Sequence, residues 1–551
     1  MKWIQRKAKK SISNVKKDDY FEQLARIRGI KDLNEYLNPD SNVLNDGSKM
    51  KNVKEANQKI LDAIYEGKKI AVSYDADADG VMSGTLMMRF LRFFTQNVYF
   101  LYSQKEDGHG VDFQLDQIQD DTDLVIVVDS SSNSIEASRE IVEDMGIDLI
   151  IFDHHRIENE NPYALIVNPQ QKGDKYPNKY LSGVGVVFKS IELIQDDLNE
   201  AYGSRFDVWD YTDIVAVGMR ADEMDMSVLE NRYLVMHGLD NIRTLGIERI
   251  LKGANIRDFN NLNSDVISFT IAPMINGAIR MGQIELPIEL MLTDDDKIAK
   301  KLRLQMQKLN DERKSLQSIA VEKHSKNIDL EQKIIVVVDD ESNNGFNGIV
   351  AQQLSSKYHR PALVMRRGAG KISGSGRSFA GFKMLSFLNS IDGVTARGHE
   401  GAMGCEFHED DLEYFKAYID LNMDEIEEKE PIVMYDLELD AEEVKQAIGT
   451  VEKFNRVYGQ NSPKAYVRVN NIMIEEVKTI GKTAETRKFE TMNDMLGLIK
   501  FRVNEEYGSE LDIMDEINAV GSIAVNKFFN FQSRKWSITN QLMIEDYKKL
   551  N

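Results

Sequence analysis

Four short apolar runs, at residues 69–73, 124–128, 148–152 and 214–218, each lead into acidic residues. Runs of this length between polar turns read as buried strands of a parallel sheet. From residue 69 to about 239 they alternate with stretches of helical spacing, the pattern of a doubly wound α/β sheet. Open sheets of this kind place their chemistry outside the carboxyl ends of the strands. Four strand ends would therefore carry Asp75, Asp77, Asp79, Asp129, His154, His155 and Asp222 to one rim.

So many carboxylates cannot share a small site without a countercharge, because like charges at contact distance repel. A divalent metal is the simplest one. Oxygen ligands with one or two imidazoles suit Mn²⁺ or Mg²⁺, and a chain whose single cysteine is Cys405 lacks the thiolates of a structural zinc cluster. Alone, Asp153-His154-His155 is an ambiguous loop triplet, and Asp75-Ala76-Asp77-Ala78-Asp79-Gly80 has the look of a calcium loop. The calcium reading fails at its end, where no Glu stands among residues 84–88. Recurrence of acid after every apolar run is what favours a metal site.

The order Asp-x-Asp-x-Asp-Gly, strand-Asp, Asp-His-His and Ala221-Asp222 resembles the DHH phosphoesterases. Further stretches resemble the RecJ-like single-strand-specific exonucleases within that superfamily. They include Arg28-Gly29-Ile30, residues 181–189, Glu230-Asn231-Arg232, residues 273–282, Ser375-Gly376-Arg377-Ser378, Gly398-His399, residues 458–463 and residues 541–546. The motifs run in the family's order along nearly the whole chain.

The resemblance implies a two-metal site and assigns roles within it. Asp129 would bridge two Mn²⁺ or Mg²⁺ ions, with Asp77 on one and Asp79, His154 and Asp222 on the other. Asp75 and Asp153 would either complete these ligand sets or orient them. His155 would face the scissile phosphate or the leaving oxygen, and no covalent enzyme intermediate is expected. Substrate phosphates would be met by Ser375, Gly376, Arg377 and Ser378, by Gly398 and His399, and by Arg280. The chain departs from the family in four places. Ser73 replaces a frequent histidine. Gln104, with Lys105 beside it, stands where an arginine usually helps hold a 5′ phosphate, which puts preference for such an end in doubt. Met219-Arg220 replaces a small-residue pair, and Arg397 replaces the first glycine of a Gly-Gly-His loop.

The rest of the chain reads as flanking domains. Residues 1–65 look helical, with an amphipathic helix at 53–64, and 66–285 form the DHH domain. A connecting helix falls in 286–330, where Ile298, Leu302, Met306 and Leu309 recur at helical spacing. Residues 331–430 make a second, smaller α/β domain of the DHHA1 kind. It would hold a strand at 334–338, a turn at Asn343-Asn344-Gly345, a helix at 348–357, a strand at 360–365 and a glycine-rich stretch at 368–381. Residues 431–551 read as short strands, including 464–469 and 472–477, for which the resemblance implies an OB-like barrel. Tyr466, Phe528, Phe529, Phe531 and Trp536 could stack bases there, although core packing is the stronger reading of each.

Composition bounds the partners. One cysteine suits a reducing cytosol, and Cys405 reads as a small buried hydrophobe. No signal peptide or membrane-spanning segment is visible. The net charge of −21 counts against a broad positive field for DNA; a local basic channel would have to serve. The function expected from the resemblance is hydrolysis of single-stranded DNA from the 5′ end, releasing 5′-mononucleotides, in repair and recombination. The setting would be a bacterial or phage-infected cytoplasm, with the protein a monomer beside a single-strand-binding protein and a helicase. One alternative is a DHH phosphodiesterase of short oligonucleotides or cyclic dinucleotides, against which residues 431–551 argue. The other is a Cdc45-like silent scaffold, against which the intact ligand set argues.

Overall fold

The computed structural model describes the chain except residues 12–14, 107, 327, 330, 343, 424–430, 482–484, 493–495, 504, 531–534 and 551, and the side chains of 344, 527–530 and 535–537. Strand β1 (Lys2–Gln5) and helix α1 (Tyr20–Arg28) come first and find their partners near the far end of the chain. The first α/β unit opens with α2 (Val53–Tyr65), whose buried face is Val53, Ala56, Ile60, Leu61 and Ile64. Then follow β2 (Ile70–Tyr74), α3 (Ala78–Phe94), β3 (Val98–Tyr102), β4 (Leu124–Val128), β5 (Asp148–Phe152) and β6 (Leu165–Val167). These strands form one parallel sheet in the order β3-β2-β4-β5-β6. Both faces are covered, so the central strands are apolar on nearly every residue, yet the strand period of two still sorts them. Ile70, Val72, Leu124, Ile126, Val128, Ile150 and Phe152 enter the large core under α3 and α4 (Gly183–Tyr202). Ala71, Val125, Val127, Leu149 and Ile151 enter the smaller core on the opposite face.

The run at 214–218 is not a strand. It lies inside helix α5 (Thr212–Ala221), where Ile214 to Arg220 are all buried. A short apolar run buried on every side carries no periodicity to separate helix from strand. Helices α6 (Leu229–Asp240), α7 (Ala272–Arg280) and α8 (Glu285–Leu292) complete this unit. The expected connecting helix is α9 (Asp296–Ser325), 30 residues long. Its buried stripe is Ala299, Leu302, Met306, Asn310, Arg313 and Gln317, and Ile298 points outward.

The second α/β unit has β7 (Ile335–Val338), α10 (Asn344–Tyr358), β8 (Ala362–Gly368), β9 (Lys371–Arg377), β10 (Thr395–His399) and β11 (Ala402–His408), ordered β10-β11-β9-β8-β7. Gly345 belongs to the first turn of α10 and not to a preceding turn; Asn343 lies outside the described residues. The glycine-rich stretch is largely β9, antiparallel to β8 and β11. Its glycines serve close packing: a Cβ on Gly374 would lie 2.1 Å from the Val364 carbonyl oxygen, and one on Gly376 2.6 Å from Met403 Sδ.

After helix α11 (Leu412–Asn422) come β12 (Ile432–Tyr435), β13 (Leu437–Asp440), α12 (Val444–Phe454), β14 (Val467–Ile480), β15 (Thr486–Thr491), β16 (Gly497–Phe501), β17 (Glu516–Asn530) and β18 (Lys535–Lys549). Half of 464–469 and all of 472–477 fall on one long strand, β14, whose register shifts near Asn471 and again before Glu476. Pairings β14-β15-β16-β18-β17, closed by β17 on β14 with β16 parallel to β18, make a five-stranded barrel of OB type. Residues 1–65 are not all helical. β1 pairs in parallel with β12, and Tyr20, Leu24 and Ile27 of α1 share the barrel's core with Val444, Ile448 and Val451. Of the aromatic candidates, Tyr466 donates to Glu545 Oε1 at 3.0 Å; Phe531 and the side chains of Phe528, Phe529 and Trp536 lie outside the described residues. No helix among the described residues is long and apolar enough to cross a membrane.

The N-terminal segment is pinned to the barrel by one buried carboxylate. Asp436 accepts from Arg28 Nε at 2.6 Å and Nη2 at 2.8 Å, from Arg6 Nε at 3.2 Å and from the Tyr466 N–H at 3.1 Å. Removing one partner would leave the buried charge poorly compensated. Arg28→Ala should therefore lower the unfolding free energy by about 3 kcal/mol, with metal affinity unchanged. Denaturant titration beside Mn²⁺ titration checks both halves of that expectation.

Candidate metal centre

In this sheet β3 lies on one side of β2 and β4 on the other, so the crossovers diverge there and open a crevice beyond the strands' carboxyl ends. Asp75 follows β2, Asp129 follows β4, and Asp153, His154 and His155 follow β5. Asp129 sits in the left-handed region at φ 63°, uncommon for a residue with a Cβ, and its N–H donates to the Phe152 carbonyl at 2.7 Å. That tie reverses the chain sharply and leaves the carboxylate over the crevice.

Local structure fixes the other carboxylates. Asp77 is the N-cap of α3, accepting from the Gly80 N–H at 2.9 Å. Asp79, in the first turn of α3, is reached by the start of α4: the Gly183 N–H donates to Oδ2 at 2.7 Å and Ser182 Oγ to Oδ1 at 3.1 Å. A helix N-terminus is a favourable seat for negative charge. Asp75 accepts from the Gly110 N–H at 3.1 Å and meets His109 Nδ1 at 3.2 Å. Asp222 arrives on the C-cap of α5. His154 Nε2 stands 3.2 Å from Asp129 Oδ1 and 3.5 Å from Asp222 Oδ2.

Two sets of donor atoms result. One is Asp75, Asp77 and Asp129; the other is Asp79, His154 and Asp222; within each, the atoms lie within 4.8 Å of one another. His155 also converges with Asp129 and His154. Every ligand candidate named from the sequence is therefore at the rim. Asp153 is the exception in kind: Oδ1 accepts from the His154 N–H (2.7 Å), the His155 N–H (3.1 Å) and His155 Nδ1 (2.8 Å), and Oδ2 from the Ser132 N–H (3.1 Å). Its oxygens are spent on orienting the two histidines.

The donors fit hard divalent ions. Asp129 Oδ1 is buried with no hydrogen-bond donor of its own, an orphan that a cation would satisfy. Burial, then the charge of Asp77, pushes Asp79 up to about 7. Burial, then Asp79 and Asp77, pushes Asp222 up to about 8, and Asp129 is raised well above the carboxylate range by burial and four neighbouring aspartates. Burial, with the charge of His155, depresses His154 to about 4, so its imidazole is neutral and free to coordinate a cation. Burial works against ionisation of Asp153, but the hydrogen bond and charge of His155 hold it well below the usual range. The hydrogen bond to Asp153 lifts His155 to about 9.

Two glycines complete the centre, and sequence reasoning missed both. A Cβ on Gly183 would lie 2.3 Å from Asp129 Oδ1, and one on Gly218 2.3 Å from Asp79 Oδ1. They let α4 and α5 come up behind the carboxylates of Asp129 and Asp79. His109 was missed as well; its only sign was its place between Gly108 and Gly110 in the loop after β3. Ser73, in place of a frequent family histidine, donates to Gln114 Oε1 at 2.7 Å.

Residues 69–219 match the model of the DHH family, N-terminal domain. RecJ of Bacillus subtilis, the single-stranded-DNA-specific exonuclease, is 28% identical over 91% of this chain and 64% of its own length. The chain carries a DHH-family domain and is similar to RecJ over most of its length. It thus spans just under two thirds of that relative. The single-strand DNA-specific exonuclease of Bacillus phage SPbeta, a protein so named as putative, is 25% identical over 93% of the RecJ-like chain and 94% of its own. The crystal structure of RecJ from Thermus thermophilus in complex with Mn²⁺ shares the fold, with a TM-score of 0.76 and 24% identity over 97% of this chain and 76% of that one.

The phosphate candidates of the RecJ-like chain are dispersed by comparison. Arg280, ending α7, donates to the Gly345 carbonyl of the second unit at 2.8 Å. Burial lowers its pKa, followed by the charges of Arg313 and Arg377, while Asp77 opposes them. Ser375 lies on β9 in a concavity of about 320 Å³ with Asn347, Ser373, Arg397 and Glu406. Gly376 faces the core, and Ser378 Oγ donates to the Phe382 carbonyl at 2.6 Å. Gly398 (φ 124°) and His399 sit at the exposed end of β10. Gln104 accepts from the Ile284 N–H at 3.4 Å, while Lys105 Nζ stands 3.0 Å from His109 Nε2. Cys405 is buried as expected, its thiol pushed up to about 12 by burial.

Gly183→Ala and Gly218→Ala should each weaken Mn²⁺ binding by about tenfold or more, since displaced ligand support costs that much. Calorimetric Mn²⁺ titration measures it; unchanged affinity would mean the helices relax freely. The pH dependence has a definite sign. Asp79 and Asp222 are raised above their unfolded value of 3.8, and His155 above 6.5, so all three contribute stability at low pH that is lost as pH rises through about 7, 8 and 9. With a chelator present, Tm should fall from about pH 6.5 to 9, and the increment given by Mn²⁺ should grow over the same span. A flat Tm would contradict the assigned shifts.

Proposed function

We propose that this chain is a metal-dependent exonuclease that hydrolyses single-stranded DNA 5′ to 3′ and releases 5′-mononucleotides in repair and recombination. The observation that carries the reading is the pair of donor sets meeting at Asp129 and His154 in a chain similar to named single-stranded-DNA exonucleases. Asp75, Asp77 and Asp129 would hold one ion, and Asp79, His154, Asp222 and a shared Asp129 the other. When bound, Mn²⁺ or Mg²⁺ would polarise the phosphate and lower the pKa of water; RecJ of Thermus thermophilus has been crystallised with each.

The chain's own groups do the rest. Asp153 grips His155 at Nδ1, which leaves Nε2 as the ring's other donor, and a pKa near 9 keeps that imidazole protonated at neutral pH. His155 Nε2 then donates to the leaving oxygen as the P–O bond breaks. Arg280, Arg377, Ser375, Gly398 and His399 belong to the phosphate-facing wall in this reading, whereas Gly376 is turned to the core and the Ser378 hydroxyl is held by the Phe382 carbonyl. Two lobes joined by α9 would admit one strand and exclude a duplex by width.

The same reading divides the chain at 1–65, 66–285, 286–330, 331–430 and 431–551, the last part extending the path of the strand. By the family resemblance it works as a monomer in the cytoplasm, beside a single-strand-binding protein and a helicase.

The test is a single-stranded oligonucleotide labelled at the 5′ end in one sample and the 3′ end in another, with Mn²⁺ and a duplex control. Immediate release of 5′-labelled mononucleotide with a shortening ladder from the 3′ label is expected. Degradation of two- to five-nucleotide substrates only would replace this reading with a short-oligonucleotide phosphodiesterase. Asp129→Ala should abolish hydrolysis with the fold retained. His155→Ala should lower kcat by about 100-fold or more while Mn²⁺ affinity holds, separating proton transfer from ligation.

A further inference from the structure

Arg220, which with Met219 replaces the family's small-residue pair, lies two positions before Asp222 and is only 3% exposed. Its Nη2 donates to Ser268 Oγ at 2.9 Å, and the guanidinium stacks on the Tyr458 ring, 4.9 Å from the centroid. Nε and Nη1 are buried without an acceptor, and no carboxylate pairs with the group among the described residues. A guanidinium does not shed its proton to escape burial, so an uncompensated one costs several kcal/mol unless an anion arrives.

The surroundings point the same way. Arg220 lines a cleft of about 250 Å³ with Arg280, Arg313, Asn276, Ser268 and Glu223. Arg313 comes from α9, where Asn310 and Gln317 hold its head in place. Glu223 is the one acid among the described residues of the wall and makes no ion pair with Arg220. Three guanidiniums converging from α5, α7 and α9 repel one another, and an anion held among them would relieve that repulsion. Ala221 also lines the cleft, which places it directly beside the metal rim.

We infer that this cleft binds a backbone phosphate of the substrate strand adjacent to the scissile one, with Arg220 as its specificity-determining donor. The inference rests on the exonuclease reading and deepens it. It makes the grip on the strand a property of residue 220, and it ties that grip to the barrel unit through Tyr458.

The experiment uses the full chain and a set of single-stranded 12-mers, each with one uncharged methylphosphonate linkage at a different position. Binding is read by fluorescence anisotropy without divalent metal, so nothing is cut. In the wild type, neutralising one particular linkage should weaken binding by about tenfold, the cost of losing a charge-assisted pair. Arg220→Met should weaken binding of the unmodified strand by a similar factor and erase the sensitivity at that linkage alone, and Arg220→Lys should restore part of it. Thermal melts confirm that both variants are folded. An interference pattern identical in wild type and Arg220→Met would overturn the assignment. Failure of the exonuclease reading shows separately, as an unmodified 12-mer that the wild type binds with this pattern and leaves intact in Mn²⁺.

Discussion

Mutual repulsion among Asp75, Asp77, Asp79, Asp129 and Asp222 is the constraint around which the first α/β unit is organised. Five carboxylates at one rim raise each other's cost of ionisation, and burial adds to it. The fold offsets part of this with backbone donors, the N–H groups of Gly80, Gly110 and Gly183, and with the positive end of α4. These are fixed dipoles that cannot leave. What they do not offset is left for mobile cations, which gives the site its affinity for divalent metal. Helix placement follows from the same need, because α4 and α5 reach the carboxylates only where glycine removes the Cβ.

The charge of the whole molecule and the charge of its cleft have opposite signs. A net charge of −21 repels a polyanion at long range, yet Arg220, Arg280 and Arg313 are gathered inside. Attraction confined to a cleft is screened less than attraction at an open surface. On the proposed reading, such an arrangement favours a strand already threaded between the lobes over one lying across the outside. It is consistent with selectivity obtained by shape and short-range contact more than by a general field.

Much of the centre is legible in the sequence because apolar runs ending in acid are a local pattern, and Asp75, Asp77, Asp79, Asp129 and His154 all follow from it. Asp222 follows too, but from the wrong element: the run before it is helical, and a helix buried on all sides looks like a buried strand. The glycine-rich stretch at 368–381 gives no strand signal because glycine contributes nothing to a period of two; only the close approach of β8 and β11 reveals β9. Gly183 and Gly218 act across long stretches of chain, and no short window of sequence contains both a glycine and the carboxylate behind it. The pairing of β1 with β12 is out of reach for the same reason, since its registration is set by Arg6, Arg28 and Asp436 meeting in three dimensions. Arg220 stands out as an oddity of sequence, but that no carboxylate among the described residues pairs with it is visible only in the packed structure.

The seating of β1 and α1 on the barrel has a bearing on how the protein comes into being. Residues 75–222 hold every candidate metal ligand, so that part of the sheet can assemble while the ribosome is still at work. The first strand must wait, unpaired, until residues 432–435 emerge, and the barrel that receives α1 is not closed until β17 and β18 are made. At the usual pace of translation, the interval between the last ligand and the last strand is about twenty seconds to a minute. During it a nascent chain would own an assembled set of candidate metal ligands before the barrel that packs on α1 has been made.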